Sequence, residues 1–383
     1  MNYRINPKNG DKLSVLGFGC MRFQKNYTET EKQIIHAIEN GINYFDTAYL
    51  YANSEATLGK VLSQGYREKV KIATKIPSNI KKYEDLDKIF NTQLARLQTN
   101  YIDYYLLHML TSVNVWNRLE GLGFVKWIEE KKKKGQINNI GFSYHGGRSE
   151  FPKIVDVFEW DFCMIQFNYL DENSQAGKSG LEYAASKGLP IMIMEPLRGG
   201  RLVSGLPDDV RNLISNAYVK RSPAEWAFRW IYNFPQVTTV LSGMNSLQMI
   251  EENIRIASDS QPNNFSDVDF KLFEKIRIIL NEKIKFPCTG CNYCMPCPSG
   301  IDIPTCFSCY NTRTIVSKSR AFMEYLIQTS ISNNASGCTN CGICESHCPQ
   351  QIEIRKGLKE VAKVMEPFYY RPYRYLIKKR MRF

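Results

Sequence analysis

No stretch of this chain is apolar over the roughly 18 residues that a membrane helix needs. Its first residues, Met1-Asn2-Tyr3-Arg4-Ile5-Asn6, lack the apolar core of a signal peptide. No transmembrane span and a cytoplasmic location are the expectations that follow. Cysteine is scarce for most of the length: the first 287 residues hold only Cys20 and Cys163. A disulfide framework spread through a small secreted fold is thereby excluded. No Gly-x-Gly-x-x-Gly follows any strand-like segment, which removes the signature of a doubly wound dinucleotide-binding sheet. No internal repeat stands out.

What is present is a chain of 383 residues, 43% hydrophobic and 23% charged, in the range of globular proteins. Eight short apolar segments read as strands: Val15–Gly19, Asn43–Thr47, Val70–Thr74, Tyr101–Leu107, Asn139–Ser143, Phe162–Phe167, Pro190–Met194 and Thr238–Ser242. Helical patterns lie between most of them, which argues for parallel βαβ units. Eight such units in about 250 residues predict a closed (β/α)8 TIM barrel, an α/β fold. Thr30 is expected to cap a helix ending near Asn40-Gly41, and Val125–Lys134 to form another whose final lysines suit the negative end of its dipole. We read that lysine run as a solvated helix end, not a nucleic-acid surface. Composition changes abruptly near Lys285, which predicts a barrel over 1–284, a small, mostly helical domain over 285–365, and a basic, aromatic tail over 366–383.

The other ten cysteines fall in that small domain. One run is Cys288, Cys291, Cys294, Cys297; the other is Cys338, Cys341, Cys344, Cys348 with Pro349 after it. The second run fits C-x2-C-x2-C-x3-C-P, in which the fourth cysteine serves the other cluster of a pair. On that logic Cys288, Cys291, Cys294 and Cys348 bind one [4Fe-4S] cluster, and Cys338, Cys341, Cys344 and Cys297 a second. The first run is one residue short before its last cysteine, leaving one or two clusters open, and paired C-x2-C knuckles also suit zinc. Cys306 and Cys309 are spare thiols or alternative ligands.

Three polar side chains and a carboxylate sit at the ends of successive strand segments: Asp46 and Tyr51 after the second, Lys75 after the third, His108 after the fourth. Barrels of this kind assemble chemistry at the C-terminal mouth of their strands. Tyr51 can give a proton, Lys75 can stabilise the phenolate left behind, Asp46 can hold Lys75, and His108 can orient a carbonyl oxygen.

These residues, with Gly41-Ile42-Asn43-Tyr44-Phe45-Asp46-Thr47-Ala48, Ala73-Thr74-Lys75, Tyr104-Tyr105-Leu106-Leu107-His108, Gly141-Phe142-Ser143, Ile165-Gln166-Phe167-Asn168, Glu195-Pro196-Leu197-Arg198-Gly199-Gly200 and Glu251-Glu252-Asn253, resemble the aldo-keto reductase family. The resemblance spans roughly 10–256, and a subset of that family carries a ferredoxin-like tail. It implies a nicotinamide cofactor, NADP(H) or NAD(H), and a catalytic tetrad of Asp46, Tyr51, Lys75 and His108. Ser143 and Gln166 would hold the carboxamide, and Glu252 and Asn253 would contact adenine. Gly19, Asp46, Glu195, Pro196, Leu197, Gly199, Gly243 and Met244 would complete the cofactor site.

Two departures matter. Met194-Glu195 stands where many members place a stacking aromatic, and Gly243–Met249 contains no cation for a ribose 2′-phosphate. Weak discrimination between NADPH and NADH is therefore expected. The expected activity is NAD(P)H-dependent reduction of an aldehyde or ketone, or the reverse oxidation, on a small-molecule carbonyl substrate. The alternative is a redox-sensing or electron-transfer protein whose barrel binds nicotinamide without rapid turnover. The net charge of +12 suits an acidic ferredoxin- or flavodoxin-like electron carrier as partner, and no nucleic acid is expected.

Overall fold

The computed structural model describes residues 1–329 and 333–373. The expected tail therefore lies partly outside the described residues. An antiparallel hairpin, β1 (Tyr3–Ile5) and β2 (Lys12–Ser14), precedes eight parallel strands that close into a barrel. These are β3 (Leu16–Gly19), β4 (Tyr44–Asp46), β5 (Lys71–Pro77), β6 (Ile102–Leu110), β7 (Ile137–Tyr144), β8 (Phe162–Gln166), β9 (Ile191–Met194) and β10 (Val237–Ser242). All eight expected strands are found, and β10 pairs with β3 to close the ring. β5 and β6 run past the expected ends by a few residues, which carries Lys75 and His108 inside their strands.

Alternation along the strands fills the interior. Leu13, Tyr44, Ala73, Tyr104, Leu106, Phe162, Met164, Met192 and Leu241 form one buried cluster. Each large apolar side chain so buried stabilises the fold by roughly 1.5–3 kcal/mol. The Tyr104 hydroxyl donates to Asp11 Oδ2 at 2.7 Å and accepts from Asn6 Nδ2 at 3.0 Å, tying the hairpin segment to the barrel interior. Gly141 sits where any Cβ would lie 2.6 Å from the Phe162 carbonyl oxygen, so β7 and β8 can pair only with glycine there.

The helices differ in detail from expectation. The first spans Tyr27–Glu39, and its N-cap is Asn26, whose side chain accepts from the Glu29 amide; Thr30 lies buried inside the helix. The helix Phe124–Lys133 ends in lysines as expected, but Lys131 is buried and pairs with Asp87 at 2.7 Å.

The chain forms two compact units. One comprises Met1–Pro196 and Glu225–Phe265; the other comprises Leu197–Ala224 and Ser266–Phe383. The composition change near Lys285 falls inside the second unit, whose helix Asp267–Lys283 packs on the helix Asp208–Ser215, with Lys283 paired to Asp209 at 2.7 Å. The second unit has its own core of Phe286, Ile301, Ile303, Phe307, Tyr325, Leu358, Val361 and Met365. The Phe286 and Phe307 rings stack with centroids 4.5 Å apart.

Candidate active site and cysteine centre

Asp46 ends β4, in register with Gly19 at the end of β3. Lys75 lies in β5 with Thr74 directed the other way, as strand pleating requires. The Lys75 ammonium donates to Asp46 Oδ1 at 2.6 Å and to the Thr47 carbonyl at 2.8 Å. Its Nζ lies 5.0 Å from the centre of the Tyr51 ring. The Tyr51 and His108 rings meet edge to face at 5.8 Å. All four sequence-predicted residues thus converge, although Tyr51 comes from the turn after β4 while His108 is in β6.

A network behind the site holds Lys75 in place. Thr74 donates to Glu55 Oε1 at 2.7 Å, and Gln93 Nε2 bonds both Glu55 and the Lys75 carbonyl. Glu55 is buried, and Arg96 supplies a charge to it at 3.1 Å. The electrostatics follow from dryness. Burial pushes the Asp46 carboxyl up, and the Lys75 ammonium pulls it back without cancelling the shift. Its second oxygen, Oδ2, is buried and accepts no hydrogen bond. Burial, with the Lys75 charge adding, holds His108 well below its usual value. His145, the residue after β7, is pushed down to about 3 by the same two causes. Both imidazoles are neutral at physiological pH. Buried His145 was missed from sequence; the only signal was its position two residues beyond Ser143.

Around this centre, the Ser143 hydroxyl accepts from the Met109 amide at 2.9 Å. The Gln166 amide donates to Asp171 at 3.0 Å and accepts from Gln175 at 3.1 Å. Asn168 donates to the same Asp171 oxygen and to the Glu195 carbonyl, bracing a residue at φ 56°. In the run 195–200, Glu195, Arg198, Gly199 and Gly200 all have positive φ. Strained backbone at non-glycine residues persists where surrounding contacts enforce it, and such residues gather at binding loops. Asn253 donates to Ser242 at the end of β10, and Met244 is buried. Gly19, Gly243, Glu195, Pro196 and Glu252 belong to the first unit; Leu197 and Gly199 belong to the second.

In the second unit, Cys288, Cys291, Cys294 and Cys348 line one cavity with Ile303, Phe307 and Ile352. This is the first crossed set expected from sequence. Burial pushes the Cys288 thiol up, while Arg201 and Arg198 pull it down. Burial also raises Cys344, to about 11, with Glu345, Cys338 and Cys297 adding to the shift, and Cys297, Cys338 and Cys344 all pack in the second unit's core. A cubane cluster needs four thiolates spread around a larger body than the tight tetrahedral shell of zinc, with its Zn–S distance near 2.3 Å. Among the described residues no group of three or more His, Cys, Asp or Glu is arranged to hold a metal ion, so the fit rests on the thiol-lined cavity. Cys306 and Cys309 point into the core from one face of the helix Ile303–Ile315, near Tyr325 and Gln328, and burial raises both thiols to about 12. Packing, not ligation, accounts for them.

The parallel barrel and its relatives make the chain an oxidoreductase. The chain belongs to the aldo/keto reductase family, whose model matches residues 15–277, and residues 287–353 match a 4Fe-4S dicluster domain. One relative is a 9,11-endoperoxide prostaglandin H2 reductase of Trypanosoma cruzi, 27% identical over 280 residues that cover 72% of this chain and 89% of that protein. Another is a glyoxal reductase of Bacillus subtilis, 26% identical over 227 residues that cover 58% of this chain and 76% of the relative. Among solved structures, the holo form of a Bacillus halodurans aldo-keto reductase superposes with a TM-score of 0.61 at 24% identity, covering 72% of this chain and 96% of that one. A Klebsiella pneumoniae aldo-keto reductase in complex with NADPH gives 0.59 at 18% identity, over 72% of this chain and 95% of that one. At these identities the superpositions show the fold. No helix among the described residues is long and apolar enough to cross a membrane.

Proposed function

We propose that the protein reduces an aldehyde or ketone with NADPH or NADH, or oxidises the corresponding alcohol, with Tyr51 as the proton donor. The observation that carries this reading is the buried Lys75–Asp46 pair at 2.6 Å with its ammonium beside the Tyr51 ring. A bound nicotinamide supplies or accepts the hydride. The residues present fit such a group: a buried carboxylate oxygen of Asp46 with no hydrogen-bond partner, the positive-φ Glu195 braced by Asn168, and the Ser143 and Gln166 polar groups. Ser143 and Gln166 would hold its carboxamide, and Glu252 and Asn253 would contact its adenine. In the reductive direction the carbonyl carbon gains a hydride and the carbonyl oxygen gains the Tyr51 proton, giving the alcohol. The Lys75 charge favours the phenolate left on Tyr51, and Asp46 offsets the cost of keeping Lys75 charged in a dry site. Neutral His108 orients the carbonyl oxygen.

The relatives named for prostaglandin endoperoxide and glyoxal reduction support a carbonyl- or peroxide-directed reductase and leave the substrate class broad. Replacing Tyr51 with phenylalanine tests the assignment: over a panel of aldehydes and ketones, coenzyme oxidation is expected to fall by about 10²- to 10⁴-fold, the usual worth of a positioned acid. Undiminished turnover would remove Tyr51 from the mechanism.

A second reading rests on the 4Fe-4S match at residues 287–353. Cys288, Cys291, Cys294 and Cys348 would hold one cluster and Cys297, Cys338, Cys341 and Cys344 another. Clusters pass electrons singly, and a hydride carries two. On this reading the module over 285–365 exchanges electrons with an acidic one-electron carrier and senses redox state, while the barrel binds nicotinamide with little turnover. Cofactor affinity that tracks the applied potential, with negligible turnover on the same panel, is its expected signature.

A further inference from the structure

The two cysteine loops repeat one pattern. Cys288-Thr289-Gly290-Cys291-Asn292 and Cys338-Thr339-Asn340-Cys341-Gly342 place cysteine and threonine alike. Gly290 and Asn340 both turn left-handed, at φ 72° and 59°, and so do Asn292 and Gly342, at 65° and 80°. Each loop therefore carries its threonine at the same point, between the first two cysteines.

What the two threonines meet differs. Thr339 is exposed, and its hydroxyl lies 3.0 Å from the Ser299 hydroxyl. Thr289 is 2% exposed, and its Oγ1 is buried with no hydrogen-bond partner. It lines the cavity shared by Cys288, Cys291, Cys294 and Cys348, whose walls include apolar Ile303 and Phe307. A buried hydroxyl left without a partner is costly, and folded chains seldom leave one so.

We propose that the Thr289 hydroxyl donates a hydrogen bond to a sulfur of the cluster held by Cys288, Cys291, Cys294 and Cys348, and raises that cluster's reduction potential. This rests on the ligand sets proposed above. Sulfide and thiolate sulfurs are anionic acceptors, and hydrogen bonds to charged acceptors are stronger than those to neutral ones. Adding one electron makes a cluster with its four thiolates more negative by one unit, so the bond strengthens on reduction. Cluster potentials respond to such bonds. The second loop's Thr339 already lies against Ser299 at the surface, so the same contribution is not assigned to it.

The test uses the full chain purified anaerobically, with iron and sulfide analysis and a mediator-buffered redox titration followed by electron paramagnetic resonance. Wild type should show two midpoints. Thr289→Val keeps the shape of the side chain and removes its hydroxyl. The reduced-to-oxidised ratio of one cluster should then fall about tenfold at fixed potential, a downward shift near 59 mV for one electron. The other midpoint should not move. Thr289→Ser should stay close to wild type, and Thr339→Val should leave both midpoints in place. A cluster-complete Thr289→Val with both midpoints unmoved overturns the proposal. So does a Thr289→Ser or Thr339→Val shift as large as that of Thr289→Val. Iron lost from Thr289→Val but kept by Thr289→Ser supports the proposal, because the hydroxyl is then what holds the cluster; iron lost from both overturns it. Iron and sulfide for fewer than two clusters in wild type would instead overturn the ligand sets themselves, which separates that failure from a failure of Thr289.

Discussion

The barrel site and the cysteine centre are built by opposite means. In the barrel, Asp46 and Tyr51 come from one βα unit, Lys75 and His108 from the next two, and all four are held by protein alone. Lys75 has two bonded oxygens, and the Glu55–Gln93–Thr74 network fixes the strand that carries it. In the second unit the two cysteine runs lie largely in irregular chain between helices. Burial raises the Cys294 and Cys344 thiols. The first site is preorganised by packing, as electrostatic catalysis requires. The second has an apolar core, a cavity and a donor set, and we propose that its irregular cysteine segments gain their order from a bound cluster.

Four measurements can break or sharpen this contrast. The largest expected effect is the loss of about 10²- to 10⁴-fold in turnover for Tyr51→Phe, with the barrel's stability unchanged. Next is cluster removal by chelator and oxidant. Cleavage by an added protease within 287–301 and 338–349 should speed up on the order of a hundredfold, because binding free energy there is folding free energy. Cleavage in the barrel should stay as it was; equal sensitisation of both would erase the distinction.

A smaller effect concerns pH. His108 and His145 have folded values pushed below that of an unfolded histidine, His145 to about 3. Between about 3 and 6.5 the unfolded chain binds more protons at His145, so stability rises with pH across that window and falls on acidification. The barrel's Tm should drop steadily from pH 6.5 downward, and His145→Gln should flatten part of that slope. A Tm slope identical in the variant would show that His145 titrates alike in both states. The smallest effect is coenzyme choice. With no cation in Gly243–Met249 to pair a 2′-phosphate, Kd values for NADPH and NADH should lie within about tenfold, or ~1.4 kcal/mol, of each other. Strong selectivity for NADPH in a calorimetric titration would show that a residue elsewhere binds the phosphate.

The barrel was legible because its signal is periodic: eight apolar segments, each about a strand long, separated by helices. The tetrad was legible because each member stands at or near a strand end, where topology alone brings distant residues together. What was not legible depends on contacts that no spacing encodes. Lys131 looks like one of four solvated lysines until Asp87, 44 positions earlier, is seen beside it. Asn168, Asp171 and Gln175 brace the Gln166 and Glu195 positions through side-chain bonds that leave no pattern in the chain. The helix Asp208–Ser215 lies within the sequence span of the barrel, yet it joins the second unit by packing on Asp267–Lys283. Cys306 and Cys309 share the C-x2-C spacing of the proposed ligand cysteines, but lie in a helix with their thiols against Tyr325 and Gln328.

We propose that the reducing electrons reach the carbonyl as a hydride in the barrel, not singly through the cysteine centre. One single-turnover experiment with the cluster-loaded protein, NAD(P)H deuterated at the transferring position of C4, and a reducible aldehyde decides it. The account predicts one deuterium on the carbinol carbon for each coenzyme oxidised, and none of this product from Tyr51→Phe on the same timescale. Alcohol formed at the full rate with no deuterium on that carbon would contradict it.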